Sequence, residues 1–225
     1  MHARNAQRPV KKVLIVDDHP VMRAGLRQLI AQEEDLEVCA EAEDAHGALV
    51  QIDTHKPDVA VVDIALRESS GIELIKDIKI RQPELPILVL TMHEESFYAE
   101  RVLRAGARGY VTKAEASTKI VEGLREVLRG GVYVSSKVAS RMVTRLVGAG
   151  SDLGTFPVDG LSDREFEVFE LLGQGLGTRE IAGRLHVSVR TIDAHREHIK
   201  KKLNLDSANA LLKYAVQWMQ FEGGT

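Results

Sequence analysis

Short runs of apolar residues recur over roughly the first 130 residues of the chain, and they limit its fold more than any other feature. A run of four or five such residues is typical of a strand that is covered on both faces, as in a parallel sheet. Three runs have this character: Lys12–Val16, Val59–Val62 and Ile87–Leu90. Glu37–Ala42 instead alternates apolar and polar residues, which indicates a strand with one wetter face at the sheet edge. Gly109–Thr112 is a short fifth segment.

Longer stretches with helical periodicity separate these segments. They are Val21–Ala31, Ala45–His55, Gly71–Arg81, Ser96–Arg104 and Ser117–Arg129. Strands and helices in alternation form a parallel sheet with helices on both faces. Each crossover helix returns the chain to the end of the sheet at which the previous strand began, so the next strand runs in the same direction. We therefore predict an α/β domain at residues 10–130 with a doubly wound, five-stranded parallel sheet.

The chain changes character after Gly130 and Gly131, which end a helix. Val138–Val147 predicts a short further helix, and the glycine-rich residues 148–154 are typical of a flexible linker. From Leu161 the pattern is entirely helical. We predict a linker at residues 131–156 and a second, smaller, all-α domain of four helices at residues 157–222. A capping box of Ser162 and Glu165 starts the first of these helices, Thr178 and Ser188 are predicted N-caps of the next two, and Ser207 begins a fourth that ends near Gln220.

Composition favours a cytoplasmic protein. Apolar residues make up 44% and charged residues 28%, which is ordinary for a globular chain. No apolar run approaches the roughly 20 residues that a membrane helix needs. The first residues, Met1–Pro9, lack the apolar core of a signal peptide, and the single cysteine, Cys39, cannot form an internal disulfide.

Five polar residues follow or end the predicted strands. Asp17 and Asp18 come directly after the first strand, Asp63 closes the third, Thr91 ends the fourth, and Lys113 follows the fifth. Ligands of parallel α/β sheets bind outside the carboxyl ends of the strands, so these side chains are expected at one rim. One strand-end aspartate by itself is as easily explained as a helix cap or a loop hydrogen bonder, but the joint pattern is far harder to reach by chance.

Three clustered carboxylates repel each other unless a cation lies among them. Oxygen ligands of this kind favour Mg²⁺, which also binds phosphoryl oxygens. A carboxylate beside Mg²⁺, a lysine and a threonine can attack a phosphoryl group while the cations neutralise the transferred charge. The pattern therefore predicts phosphorylation of Asp63 with Mg²⁺ as cofactor.

In these positions the chain resembles the receiver domain of bacterial response regulators, over roughly Lys11–Arg129. The resemblance implies a flavodoxin-like sheet of strand order 2-1-3-4-5. It makes Asp63 the phosphoacceptor, Asp17 and Asp18 its acid pair, and Thr91 and Lys113 the switch hydroxyl and the invariant lysine.

The same resemblance assigns residues around the phosphoacceptor. Ala65 gives its backbone carbonyl to the metal, Gly71 is the loop glycine, and Tyr110 is the aromatic residue that changes rotamer on activation. Arg67 departs from the family, which commonly has proline there. The residue types at Ala65 and His93 tune the phosphoryl lifetime.

A concentration of basic residues lies in the C-terminal helices. Seven basic residues and three acidic ones fall between Arg179 and Lys202, although the whole chain carries a net charge of −3. Such a patch is the usual footprint of a phosphate-backbone contact, although a solvated helix face looks the same.

Residues Leu161–Leu205 resemble the LuxR-type helix-turn-helix, and the whole chain resembles NarL/FixJ-type regulators. Ile192, Ile199 and Leu203 recur at helical spacing and are predicted to face the core. The second helix of such a motif reads bases while its neighbours contact phosphates. The predicted phosphate contacts are Thr178, Arg179, Arg196 and Lys200, and the full set of predicted DNA-binding residues adds Ser188, Arg190, Thr191, Asp193, Ala194, Glu197 and Lys201.

Asp193 and Glu197 are unusual here, because relatives often carry lysine at base-reading positions. Each acid has two explanations. It accepts hydrogen bonds from cytosine amino groups, or it only pairs along the helix, Glu197 with Lys201 and Asp193 with Arg196. His195 also matches a family position, where helix packing is favoured over base contact.

The function expected from this combination is phosphorylation-dependent DNA binding in a two-component system, not enzymatic turnover. A sensor histidine kinase is the expected donor, and a homodimer on pseudo-palindromic double-stranded DNA is the expected complex. A phosphatase of the haloacid dehalogenase type fits less well, because Asp63-Ile64-Ala65 lacks the second acid of Asp-x-Asp. Gly-x-Gly-x-x-Gly does not follow the first strand, which excludes a dinucleotide site of the usual kind. A receiver that is never phosphorylated conflicts with the intact acid pair, Thr91 and Lys113.

Overall fold

The computed structural model describes residues 9–66, 70–92, 95–146 and 157–223. The chain divides into two compact units, Met1–Ser136 and Lys137–Thr225. The glycine-rich segment 148–154, Arg67 and His93, on which predictions were made, lie outside the described residues.

The first unit contains one parallel sheet of order β2-β1-β3-β4-β5, which confirms the predicted topology and the edge position of the second strand. The apolar runs form the strands because successive side chains point to opposite faces and both faces are covered. The strands are β1 (Lys11–Val16), β2 (Leu36–Ala42), β3 (Val59–Val62), β4 (Ile87–Thr91) and β5 (Gly109–Thr112).

Five helices cover this sheet, and their bounds lie within one residue of the predicted ones among the described residues. On one face, Leu26 and Ile120 pack with Val13 and other buried strand residues. The neighbouring strand residue Leu14, which points to the opposite face, is equally buried. The helices are α1 (Pro20–Ile30), α2 (Ala45–His55), α3 (Gly71–Arg81), α4 (Glu95–Arg104) and α5 (Ala116–Leu128), with a 3-10 turn at Lys113–Glu115.

Helices alone form the described part of the second unit. Phe166 and Phe169 lie in its core, with ring centroids 5.5 and 5.6 Å from that of Trp218. None of the helices in the described ranges is long and apolar enough to cross a membrane. The helices are α6 (Ser136–Leu146), α7 (Asp163–Gly173), α8 (Thr178–Arg184), α9 (Val189–Lys202) and α10 (Ala208–Gly223), with a 3-10 turn at Pro157–Gly160.

Three of the four predicted helix starts in this unit are correct. Ser162 and Glu165 form the capping box of α7, Ser188 caps α9, and the Ser207 hydroxyl accepts from the Ala210 amide. The prediction that Thr178 caps α8 is wrong, since Thr178 is its first helical residue and Gly177 is the cap. The Glu180 carboxylate accepts from the Gly177 amide at 2.7 Å, so one of the orphan amides at this helix start is satisfied from inside the helix.

Candidate functional site

The carboxylates of Asp17 and Asp63 are brought together by strand register. Val16 pairs with Val62 in the parallel ladder of β1 and β3, and the Asp63 amide donates to the Val16 carbonyl at 2.8 Å. The aspartates therefore leave neighbouring strand ends side by side. Both are 1% exposed, so their charges depend on neighbours rather than on water.

Lys113 supplies the neutralising charge. Its Nζ lies 2.8 Å from Asp17 Oδ2 and 2.5 Å from Asp63 Oδ2. Burial raises the pKa of Asp63 and outweighs the opposing effect of Lys113. Burial by itself would lower the pKa of Lys113, but the two carboxylates hold it above its ordinary value. Lys113 therefore stays charged, and the pocket balances one ammonium against two buried acids.

The ligand set of the pocket fits a hard divalent cation. Asp17, Asp18, His19 and Asp63 each offer one ligand atom, and these four atoms all lie within 4.8 Å of one another. Three of the four are carboxylate oxygens, which Mg²⁺ and Mn²⁺ prefer over softer donors. One lysine does not neutralise three carboxylates, so the pocket keeps a negative charge that a bound cation would neutralise.

Backbone hydrogen bonds fix the two described ends of the connection between β3 and α3 close to Asp63. The Ala65 amide donates to Asp63 Oδ1 at 3.0 Å, and the Gly71 amide donates to the Ile64 carbonyl at 2.9 Å. A Cβ on residue 71 would lie 2.1 Å from the Asp63 carbonyl oxygen, closer than any real contact. Glycine is therefore required so that α3 can begin directly beside the acidic residue.

Thr91 and Tyr110 lie on the two neighbouring strands. Thr91 ends β4 in register with Thr112, which directly precedes Lys113. Thr91 is fully buried and Tyr110 is 2% exposed. The structure thus places Thr91 and Lys113 at the same strand-end rim as the aspartates, as the sequence predicted.

Two residues of the pocket were not singled out from sequence. His19 Nδ1 lies 2.7 Å from Asp18 Oδ1, and its backbone amide donates to Asp17 Oδ1 at 2.8 Å. Arg23 donates to the Asp17 carbonyl at 2.5 Å and lies 3.4 Å from the Glu41 carboxylate. His19 could have been found from its place next to the acid pair. Arg23 offers no such indication, because its contact depends on how α1 packs.

The second unit presents one polar face of α9. Ile192 and Ile199 are fully buried and Leu203 is 9% exposed, which confirms the predicted core side. Arg179 near the start of α8 is also exposed. The predicted DNA-contacting residues of α9 that are exposed are Arg190, Thr191, Asp193, Ala194, Glu197 and Lys201.

The pairs along α9 that were one of the two alternatives for Asp193 and Glu197 do not form in the structure. Arg196 donates to the Thr178 hydroxyl of α8 instead of pairing with Asp193, because its side chain lies on the flank that contacts α8. Glu197 pairs with Lys200 at 2.8 Å instead of with Lys201, because residues three apart on a helix are also neighbours. Thus Thr178, Arg196 and Lys200, three of the predicted phosphate contacts, already hold partners within the domain.

Other residues of α9 stabilise its start and its packing. Ser188 Oγ accepts from the Thr191 amide at 3.1 Å, so both residues take part in the cap. His195 is partly buried, and burial followed by the charge of Arg164 lowers its pKa. This agrees with the packing role that was favoured for His195.

Glu165 links α7 to α9. Its Oε2 accepts from Lys202 Nζ at 2.6 Å and from the Ser162 amide at 2.8 Å. Burial raises the pKa of Glu165, but Lys202 and the cap outweigh burial and hold it below its ordinary value. The ionised form therefore stabilises the helical domain. That stability is fully present above the ordinary pKa of glutamate and is lost as the pH falls through the lowered pKa.

We expect Glu165→Gln to lower the free energy of unfolding of the helical domain by about 1 kcal/mol at neutral pH, since the ion pair with Lys202 is lost. The difference from the unchanged protein should shrink to near zero in acid, where Glu165 is protonated as well. Urea unfolding at a series of pH values measures this. A difference that stays constant into acid would show that the charge of Glu165 is not its source.

Two protein families match the two units. Residues 13–125 match the response regulator receiver domain, and residues 159–215 match the bacterial regulatory proteins of the luxR family. The oxygen regulatory protein NreC of Staphylococcus carnosus is 36% identical over 210 residues, which cover 92% of this chain and 97% of that protein. NreC of Staphylococcus aureus is 37% identical over the same shares of both chains.

Solved structures give the same result. The RcsB response regulator of Salmonella typhimurium covers 93% of this chain and 98% of its own, with 29% identity and a TM-score of 0.64. RcsB from Salmonella enterica serovar Typhimurium, bound to promoter rprA in the presence of phosphomimetic BeF3−, covers 92% of this chain and 98% of its own, with 30% identity and a TM-score of 0.60. The chain therefore belongs to the NarL/FixJ-type response regulators, non-enzymatic transcription regulators that join a receiver domain to a LuxR-type DNA-binding domain.

Proposed function

We propose that this protein acts in the cytoplasm as a transcription regulator whose DNA binding is switched by phosphorylation of Asp63. The observation that carries this proposal is the buried Asp63 carboxylate, 2.5 Å from Lys113 and beside Asp17. Phosphoryl transfer requires a nucleophile beside a positive charge, because negative charge develops on the transferred group. The Asp63 carboxylate and the Lys113 ammonium meet this requirement.

Mg²⁺ would be held by the carboxylates of Asp17, Asp18 and Asp63 and by the Ala65 carbonyl. The close spacing of the three carboxylates supports this assignment. The ion supplies charge neutralisation and alignment of the phosphoryl oxygens. Arg23 donates to the Asp17 carbonyl and the His19 amide donates to Asp17 Oδ1, so both fix Asp17 of the acid pair.

In the transfer step, an oxygen of Asp63 attacks the phosphorus of a phosphohistidine on a sensor kinase. The P–O bond to aspartate forms as the P–N bond breaks, and the electron pair returns to the imidazole. With a small acyl phosphate the leaving group is the carboxylate. Lys113 is already within reach of Asp63 and stabilises the new negative charge.

Thr91 and Tyr110 then carry the change outward. Both are buried on β4 and β5, the strands that lead to Thr112 and Lys113 at the rim, so a new phosphoryl group there would change how they pack. Repacking of Thr91 and Tyr110 alters dimerisation or the contacts between domains and thereby DNA binding.

For DNA contact we propose that α9 enters the major groove. The exposed face of α9 then lies toward the base edges, as the second helix of a helix-turn-helix does, and it offers Arg190, Asp193, Ala194, Glu197 and Lys201 as candidates for base contact. Thr178, Arg179, Arg196 and Lys200 contact phosphates, and Ser188 and Thr191 hold the helix start at the groove. The RcsB relative was solved bound to promoter DNA, which supports double-stranded DNA as the partner. A homodimer would read a pseudo-palindromic site.

Binding of the purified full-length protein to fragmented genomic DNA, with and without an acyl phosphate and Mg²⁺, tests the function. We expect enrichment of a small set of related, two-fold symmetric sites that depends on the acyl phosphate. Equal recovery of all fragments in both conditions would contradict the proposal.

The affinity for an enriched site should fall steeply with salt, because each neutralised phosphate releases counterions. Arg179→Ala should reduce the slope of log affinity against log salt by about 1. The exposed Arg81, at the end of α3 in the receiver, provides the matched control, and Arg81→Ala should leave the slope unchanged. A slope that Arg179→Ala does not alter would remove Arg179 from the phosphate contacts.

A further inference from the structure

Two acidic residues on the exposed face of α9 differ in their partners. Glu197 is engaged by Lys200 at 2.8 Å. Within the described ranges, the structure shows neither a hydrogen bond nor an ion pair to the Asp193 carboxylate. Helical spacing offers Asp193 two cations, Arg190 and Arg196. Arg196 donates to Thr178 instead, and among the described residues the structure shows no ion pair between Asp193 and Arg190. Asp193 is therefore an exposed anion without a side-chain partner among the residues that the structure describes.

An unpaired carboxylate on a DNA-binding helix is unfavourable unless the DNA gives it a donor. It approaches the phosphates with a like charge, and it loses water on entering the groove. In the major groove, cytosine presents only an amino donor at N4, whereas guanine and thymine present acceptors and adenine places its N7 acceptor beside its amino group. A carboxylate accepts hydrogen bonds and cannot donate, so cytosine is the base that suits it.

The position of Asp193 in the helix favours it over Glu197. Recognition helices contact base edges mainly with their N-terminal residues, and Asp193 lies in the second turn of α9. Its side chain is short and loses less conformational freedom on contact than glutamate does. Glu197 lies a turn later and would first have to release Lys200.

We propose that Asp193 is a specificity-determining residue that selects a cytosine in each half-site by accepting a hydrogen bond from its N4 amino group, while Glu197 makes no base contact. This proposal rests on the docking of α9 in the major groove given above. It assigns different roles to Asp193 and Glu197. From the sequence, each of them could either contact a base or pair with a basic residue along the helix.

The test uses full-length protein treated with an acyl phosphate and Mg²⁺, and a library of duplexes with a randomised centre. After selection, each position of the recovered site is changed to all four base pairs, and relative affinities are measured by competition. The ratio between bases is the readout, because removing a negative charge raises the affinity for every duplex alike.

For the unchanged protein we expect one position per half-site that prefers cytosine by roughly 5- to 100-fold. Asp193→Ala should remove that preference and leave the other positions as they are. Asp193→Asn should move it to adenine, because an amide pairs with both N6 and N7 of adenine. Glu197→Gln is the matched control on the same helix face, and it should retain the cytosine preference.

A site whose base preferences are the same for Asp193→Ala as for the unchanged protein would overturn this inference and leave the proposed function intact. Loss of the cytosine preference in Glu197→Gln would overturn it as well. Recovery of no enriched sequence by the unchanged protein would instead overturn the proposed function, and this inference with it.

Discussion

Asp63→Asn is expected to abolish labelling of the protein by an acyl phosphate in the presence of Mg²⁺. An amide oxygen is a poor nucleophile and carries no charge for the metal or for Lys113, which lies 2.5 Å from Asp63 Oδ2. The unchanged protein should gain one phosphoryl group that hydroxylamine removes, as an acyl phosphate on aspartate requires. Intact-mass measurement before and after hydroxylamine gives both results.

Asp53→Asn is the matched control for this prediction. Asp53 is an exposed aspartate on α2 with only a 4.0 Å contact to Arg81, so labelling should be unaffected. Hydroxylamine-labile labelling that persists in Asp63→Asn would remove Asp63 as the acceptor. The DNA response should follow the labelling, so Asp63→Asn should also lose the change in DNA binding that acyl phosphate causes.

Gly71→Ala is expected to destabilise the receiver by about 3 kcal/mol and to slow labelling of Asp63. The added Cβ would lie 2.1 Å from the Asp63 carbonyl oxygen and 2.5 Å from Ile64 Cα, both of which are backbone atoms. Backbone cannot rotate away as a side chain can, so the start of α3 must shift relative to Asp63. Urea unfolding of the receiver and the labelling rate are the two measurements.

Gly25→Ala is the control for Gly71→Ala in the same domain, and it is expected to change stability in the opposite direction. Gly25 lies in the interior of α1, and a Cβ there meets nothing within 4 Å. Alanine is the better helix former by about 1 kcal/mol, so Gly25→Ala should stabilise the receiver and leave labelling unchanged. Equal stability changes in the two variants would show that the close approach at Gly71 is not what requires glycine.

Most of the fold was predictable because its determinants are local. Short runs such as Val59–Val62, placed between helical stretches, are typical of buried strands in a covered sheet, and the helical periodicity gave the bounds of α2 and α3 to the residue. The caps were predictable where a side chain makes them, as at Ser162 and Ser188. The cap at Gly177 was missed, because the Glu180 carboxylate makes the contact from inside the helix and Thr178 is the more usual capping residue.

Some contacts of the candidate site were likewise predictable from the sequence, and others were not. The positions of Asp17, Asp63 and Lys113 relative to strand ends were readable from the chain, since parallel strands bring their carboxyl ends to one rim. The role of Arg23 could not be predicted from the sequence, because its contact with the Asp17 carbonyl depends on how α1 packs against the sheet. The partners of Arg196 and Glu197 were not readable either, since helical spacing offers each of them more than one neighbour.

The sequence by itself therefore determined the order of strands and helices, the two domains and the acidic rim around Asp63. The spacing of apolar residues and the place of a polar residue at the end of an apolar run both depend only on residues close together in the chain. They can therefore be recognised without knowing how the helices pack on the sheet. Only the tertiary structure decided which acid on α9 has no partner in the part of the chain that the structure describes. Thr178 on α8 holds Arg196, one of the two cations at helical spacing from Asp193, and that contact joins residues 18 apart in the chain.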